Sequence, residues 1–277
     1  MDAKLDSLSA VPDLVGKDVE VLLAALIGGA ARIQRIALTQ RVVWIKRYGT
    51  EKPPAWRWLQ AAFARLVPLS ILRPSPYLAP SEMAEREIRR SRLFAENGFA
   101  TPRVLYASRG AVVFADVGQT VQARLNELRP CDPPGHDRLL VDCAAELGRL
   151  HAAGLAHGRP YPRDMFFAGE RLGFMDFEEE PQGVMPLAAA QARDIWLLFL
   201  RIATAACRNE TREEAYQAWS RHAPPAAIVE LARMTRFLGS FLSLARLIGR
   251  VHMGSDLQRF ILATSFLVAV LVNYGTD

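Results

Sequence analysis

The chain has 277 residues, 51% hydrophobic and 23% charged, a balance that excludes an intrinsically disordered protein and suffices for one large domain or two lobes. Its net charge is +5, and the basic residues form no long block, which removes nucleic acid as the expected partner. Cys131, Cys143 and Cys207 are widely spaced with no Cys-x-x-Cys pair, which points to reduced thiols rather than a disulfide framework or a zinc centre.

Residues 1–18 read as an N-terminal extension, and the first sixteen of them carry aspartates and no apolar run, unlike a signal peptide. Runs at 19–26, 32–38 and 42–48 are rich in β-branched, partly alternating residues. They are split by Gly28-Gly29 and by Thr39-Gln40-Arg41, which suits an antiparallel meander. The first of these runs fits a helix as well as a strand. Residues 50–80 form an irregular insert rich in proline and tryptophan, with a basic amphipathic piece at 56–72. Ser81 followed by Glu82 and Glu85 marks a helix start, with Ser81 as its cap, and this helix stops at Asn97-Gly98. Strands at 104–106 and 111–115 make a hairpin turning at Arg109-Gly110.

Beyond Asp116-Val117-Gly118 the pattern becomes helical, with helices expected at 120–128, 137–153, 187–207, 212–222, 226–248 and 256–272. One loop-and-hairpin segment, 155–177, interrupts them. A β-rich first third followed by a helical remainder predicts an α+β protein of two unequal lobes, 19–117 and 118–277. The apolar run at 260–272 falls short of the ~20 residues a bilayer requires, so it is expected to be a buried C-terminal helix of a cytoplasmic protein.

The chemistry-bearing residues come in a definite order. Lys46 closes the strand Val42-Val43-Trp44-Ile45-Lys46, and Glu87 lies on the next helix, with Glu85 as its competitor. His157-Gly158 follows an apolar helix ending in Leu150-His151, and Asp164 comes next. Met175-Asp176-Phe177 closes the hairpin, and Asp194 lies on the helix after it. Phosphoryl transfer needs a lysine on nucleotide phosphates, an acid fixing that lysine, oxygen ligands for Mg²⁺ and a group that orients the acceptor hydroxyl. Each residue also has an ordinary explanation. Lys46 fits a surface lysine at a strand end, and Glu87 fits a solvated helix face beside Arg86, Arg89, Arg90 and Arg92. Asp164 fits an Asx-turn or an ion pair with Arg163, and Asp194 fits a helix N-terminal acid.

Over residues 20–207 the order of these motifs resembles kinases of the protein-kinase-like fold, above all the bacterial lipopolysaccharide-core sugar kinases. The resemblance implies a small antiparallel-sheet lobe with one long helix and a mainly helical second lobe, clamping ATP and Mg²⁺. It implies Lys46 and Glu87 at the phosphates, Asp116 in a hinge-like segment, Asp164 and Asp176 as metal ligands, and Asp194 bonded to the loop backbone at His157. Gly28-Gly29 is the only glycine pair that could stand for a phosphate loop. Arg159 occupies the position of the catalytic aspartate, and an arginine cannot accept a proton at physiological pH. Two functions follow as expectations. One is ATP- and Mg²⁺-dependent transfer to an alcohol of an envelope lipid, saccharide or protein, with Arg159 touching phosphate or acceptor. The other is a pseudokinase that senses nucleotide or binds a partner. The 56–72 piece, with aromatic and aliphatic residues interleaved with arginine, fits either an insert packed on its own lobe or an interfacial helix in peripheral contact with the inner membrane.

Overall fold

Residues 16–49 and 78–273 are described by the computed structural model, and they divide into two units. The first comprises 16–49, 78–118 and 174–178; the second comprises 119–173 and 179–273. The expectations for residues 1–15 and for the insert at 50–77, with its amphipathic piece at 56–72, lie outside the described residues. Among the described residues the protein is α+β and mainly helical, with nine α-helices and six short strands.

Strand alternation sets the layers of the first unit. Its antiparallel sheet holds β1 (Ile33–Ala37), β2 (Val42–Arg47), β3 (Val104–Ala107) and β4 (Ala111–Ala115) in the order β1-β2-β4-β3. Val43, Ile45 and Val113 pack with Leu22 of helix α1 (Gly16–Gly28). Val112, Phe114 and Tyr48 pack with Ala84 and Ile88 of helix α2 (Pro80–Glu96). Lys46 pairs with Val112 across the ladder, so the pleat turns it toward the α2 layer. On α2 the buried residues Ala84, Glu87, Ile88 and Ser91 recur at i, i+3, i+4 and i+7, the stripe a helix presents to a core.

In this unit one open reading is decided and two expectations are corrected. Residues 19–26 are helical, because Leu22, Ala25 and Leu26 meet the sheet at helical spacing while Val19 and Val21 face solvent. Gly28-Gly29 therefore lies between a helix and a strand, not between two strands. There the Arg47 guanidinium donates to Ala25 O (2.5 Å), Ala31 O (2.7 Å) and Gln34 Oε1 (3.0 Å). The glycine pair is thus a helix stop held by Arg47 and not a loop joining paired strands. Finally, α2 is capped at Ala79 rather than Ser81: Pro80 opens the helix with its missing N–H, and Glu82 accepts from Ala79 N at 2.8 Å.

The second unit is built on α3 (Val121–Cys131), α4 (Pro133–Ala152), α5 (Leu187–Ala205), α6 (Glu210–Ser220), α7 (Pro225–Gly239), α8 (Leu242–Val251) and α9 (Ser255–Asn273). Between α4 and α5 the hairpin β5 (Met165–Ala168) and β6 (Arg171–Phe174) forms a two-stranded sheet. Helix α4 lies against α6, where a Cβ on Gly148 would stand 2.7 Å from Trp219 O; glycine is what permits this approach. Trp219 Nε1 donates to His151 Nδ1 at 3.0 Å across the same contact. Phe199 of α5 stacks on Phe266 of α9, with ring centroids 5.4 Å apart.

The single helix expected over 226–248 is two helices, α7 and α8. The break follows Gly239, which passes close to Val268, and Ser240 Oγ donates to Phe237 O at 2.7 Å. Helix α9 extends beyond the apolar run at 260–272, and among the described residues it is the one helix long and apolar enough to cross a membrane. Ala263, Leu267 and Val270 are buried, and Thr264 accepts from Trp196 Nε1 at 3.2 Å.

Candidate functional site

The first unit gathers a buried charge cluster around Lys46. Its Nζ donates to Glu87 Oε2 (2.7 Å), Glu87 Oε1 (3.0 Å) and Asp176 Oδ1 (2.6 Å), and it lies 2.9 Å from Glu178 Oε1. Tyr48 donates its hydroxyl to Glu87 Oε2 at 2.7 Å, and Arg32 pairs with Glu178. These contacts follow from local pattern. Lys46 and Tyr48 are two residues apart at the end of one strand. Asp176 and Glu178 flank Phe177, which turns into an aromatic cluster, 4.6 Å from Phe94 by ring centroid. Phe174 and Phe99 complete that cluster.

Asp176 has φ 67°, and among the described residues it is the one non-glycine in left-handed backbone. Asp and Asn are the side chains that tolerate this region best. Held there, Asp176 presents its carboxylate to Lys46 while the next residue anchors in the core. The arginines of α2 divide between two environments, with Arg89 and Arg92 exposed. Arg86 and Arg90 are buried; Arg86 Nη1 donates to Glu178 O at 2.9 Å, and Arg90 lies over the Phe94 ring at 5.5 Å. Glu85, the alternative to Glu87, is exposed.

The electrostatics of the cluster are unbalanced. Burial alone would lower the Lys46 pKa, but the carboxylates of Glu87, Asp176 and Glu178 outweigh it and hold the ammonium well above its ordinary value. Burial pushes the Glu87 carboxyl upward against the opposing pull of Lys46. The Tyr48 phenol is raised by burial and then by the Glu87 charge beside it. Oxygens of the three carboxylates lie within 4.8 Å of one another and share one ammonium, with the Arg32 and Arg86 guanidiniums also at Glu178. Hard anionic oxygens grouped in this way suit a hard cation such as Mg²⁺, and an ammonium fixed by Glu87 suits a phosphate oxygen.

The second unit contains a different arrangement. Asp194, fully buried, accepts from His157 N at 2.5 Å and from Gly158 N at 2.8 Å. It is the eighth residue of α5, so it does not open that helix, as the sequence had led us to expect, and the helix N-terminus is not what stabilises it. Burial would raise its pKa, but His151, whose Nε2 lies 3.6 Å away, together with His157 and Arg193, draws it below the usual carboxylate value. Gln191 Nε2 ties the same loop by donating to His151 O (2.9 Å) and Leu155 O (3.0 Å). Gly158 has φ 103°, and a Cβ there would stand 2.6 Å from Glu179 Cβ. Arg159 is half-buried, and its amide donates to His157 Nδ1 at 3.3 Å. Asp164 is buried in a short 3-10 turn; its amide donates to Tyr161 O at 2.8 Å, and its Oδ1 lies 3.6 Å from Arg163 Nε.

Lys46, Glu87 and Asp176 are thus brought together in the first unit, and His157, Gly158, Arg159 and Asp194 in the second. Asp164 belongs to the second unit and Asp176 to the first. Asp116 accepts from Trp44 Nε1 (2.5 Å) and Gly118 N (3.1 Å), at the end of the sheet. Gly28 and Gly29 take no part in the Lys46 cluster. Sequence reasoning missed Tyr48, although it lies two residues beyond Lys46 at the strand end, and Glu178, whose approach to Lys46 depends on the left-handed turn at Asp176. It also missed Gln191 and His151, which carry no local signal.

A second group, His136, Asp137 and Cys207, also has closely spaced donor atoms. Its Asp137 is fully engaged, accepting from Cys207 N (2.9 Å), Arg208 N (2.9 Å) and Thr211 Oγ1 (2.6 Å), and it ties α4 to the loop between α5 and α6. No protein-family model matches the chain, and no curated protein matches its sequence.

Proposed function

We propose that the protein is an ATP- and Mg²⁺-dependent phosphotransferase of protein-kinase-like, two-lobed fold. The acceptor is an alcohol of an envelope lipid, a saccharide or a protein. The observation that carries this reading is the Lys46 cluster: a buried lysine fixed by Glu87, with Asp176 held in left-handed backbone against it. In this reading Lys46 contacts nucleotide phosphate and Asp176 would be a metal ligand, in a group of acids with Glu87 and Glu178. Mg²⁺ held there would supply charge neutralisation for the phosphates. The buried Asp194 sets the backbone at His157-Gly158 and so positions Arg159. Arg159 stays cationic and neutralises phosphate or acceptor charge. The acceptor hydroxyl passes its proton to an oxygen of the transferred phosphoryl group as the new P–O bond forms and the ADP oxygen leaves.

Two facts favour a second reading, a pseudokinase acting as a nucleotide-sensing or partner-binding scaffold. Arg159 stands where the resembled enzymes carry their base, whose action contributes about 10²–10⁴ in rate. Lys46 is also already engaged by Asp176 and Glu178. Thermal denaturation with ATP, with and without Mg²⁺, beside Asp176→Ala, tests the site. Saturation at a hundredfold over Kd stabilises a fold by ~2.7 kcal/mol. A Mg²⁺-dependent shift absent from the variant supports the nucleotide site, and no shift at millimolar ATP refutes it. Arg159→Asp then separates the readings: a large gain in ATP turnover favours the scaffold, and a loss favours a working Arg159.

A further inference from the structure

The second unit carries an apolar surface that none of the described residues covers. Helix α8 (Leu242–Val251) buries only Leu242 and Ala245. Its other apolar side chains face outward: Leu244 is 54% exposed, Leu247 57% and Val251 89%, with Phe241, Ile248 and Met253 also exposed. At 3.6 residues per turn, Phe241, Leu244, Leu247, Ile248 and Val251 fall within an arc of about 120°, which is the width of a burying stripe rather than a scatter of single residues. The exposed Arg250 and Arg246 lie beyond one edge of this arc, and Arg246 reaches Ser265 Oγ at 2.9 Å.

Along the chain that carries the stripe the charge is one-sided, although Arg233 pairs with Glu230. Between Glu230 and Asp256 the sequence holds Arg233, Arg236, Arg246, Arg250 and His252 and no acid. A protein partner would need an acidic patch framing an apolar groove. A bilayer with anionic headgroups offers both features at once, acyl chains for the stripe and negative charge for the arginines. We propose that α8 is an interfacial helix that seats the second unit on an anionic lipid surface. This follows from exposure and charge alone and is independent of the catalytic reading.

Flotation of the full chain with phosphatidylcholine vesicles, with and without phosphatidylglycerol, tests it. The protein is expected to float with the anionic vesicles only, and less so at high salt. Leu247→Glu with Val251→Glu is expected to weaken that binding by about tenfold or more while circular dichroism stays unchanged, because both side chains already face outward. Should the double variant misfold, Arg250→Glu alone is expected to weaken binding to the anionic vesicles. The proposal is overturned if the wild type does not float, if it floats equally on neutral vesicles, or if neither variant changes binding. Light scattering that shows a dimer converted to monomer by the double variant, without vesicle binding, assigns the face to a second copy and likewise overturns it.

Discussion

Asp194 in the second unit and Glu87 beside Lys46 in the first are both buried, yet their carboxyl groups are shifted in opposite directions. Asp194 receives two backbone amides and the field of His151, and its pKa is drawn down. Glu87 shares one ammonium with Asp176 and Glu178, and burial drives its pKa up. A carboxylate whose lone pairs are filled by backbone donors is a fixed part of the scaffold. Carboxylates that compete for one cation leave room for another. The comparison therefore separates what builds a site from what binds at it.

The largest test removes the shared cation. Lys46→Ala leaves Glu87, Asp176 and Glu178 crowded with no ammonium, and breaking a buried pair this way costs ~3–5 kcal/mol. Urea denaturation, with hydrogen exchange read on β2 amides, measures the loss. Adding Glu87→Gln to Lys46→Ala is expected to recover part of it. A loss well under 1 kcal/mol would mean that the cluster is already neutralised by a bound proton.

Asp194→Asn attacks the other side of the comparison. Asparagine offers one carbonyl where two buried amides now bond, a loss of about 3 kcal/mol. The pH dependences of the two sites have opposite sign. Because the folded Asp194 pKa is depressed, its contribution is complete above the unfolded value, about pH 4, and is lost as pH falls through the folded value. Glu87 is raised, so its contribution is present below about pH 4.3 and is lost as pH rises through the folded value. Stability curves against pH should lose the acid limb in Asp194→Asn and the rising-pH loss in Glu87→Gln. The same limb vanishing in both would dissolve the distinction.

Gly158→Ala is a milder perturbation of the Asp194 side. Alanine must adopt φ 103° and bring its Cβ to 2.6 Å from Glu179 Cβ, a destabilisation of about 2 kcal/mol. Calorimetry that finds the variant as stable as wild type would show that the loop relaxes freely and that Asp194 holds a flexible segment.

The two sites were not equally legible in sequence. The alternation Val43, Ile45 against Trp44, Lys46 and the stripe Ala84, Glu87, Ile88 are short-range patterns, and they suffice to turn Lys46 and Glu87 toward one layer. The Arg109-Gly110 turn is visible for the same reason. Helix α1 was ambiguous because its β-branched residues imitate a strand; only the sheet face under Leu22 decides it. The break between α7 and α8 depends on how closely Gly239 meets Val268, which no local pattern encodes. Burial of Arg86 was illegible because its acceptor, Glu178 O, lies 92 residues away. Tertiary partners, rather than propensity, settle such positions.

The smallest expected effect separates stability from binding at a single residue. Asp176 sits at φ 67°, where a Cβ is unfavourable and glycine is at ease, so Asp176→Gly relieves about 1 kcal/mol of backbone strain. It also withdraws one of the three acids competing for Lys46, which retains Glu87 and Glu178. The variant should therefore unfold at slightly higher urea than wild type while losing any Mg²⁺-dependent stabilisation by ATP. A binding carboxylate held in strained backbone at the expense of stability is the pattern expected where function, not folding, fixes the residue. If Asp176→Gly is destabilised by more than 1 kcal/mol, then Asp176 is a structural counter-ion like Asp194, and the two sites differ in degree only.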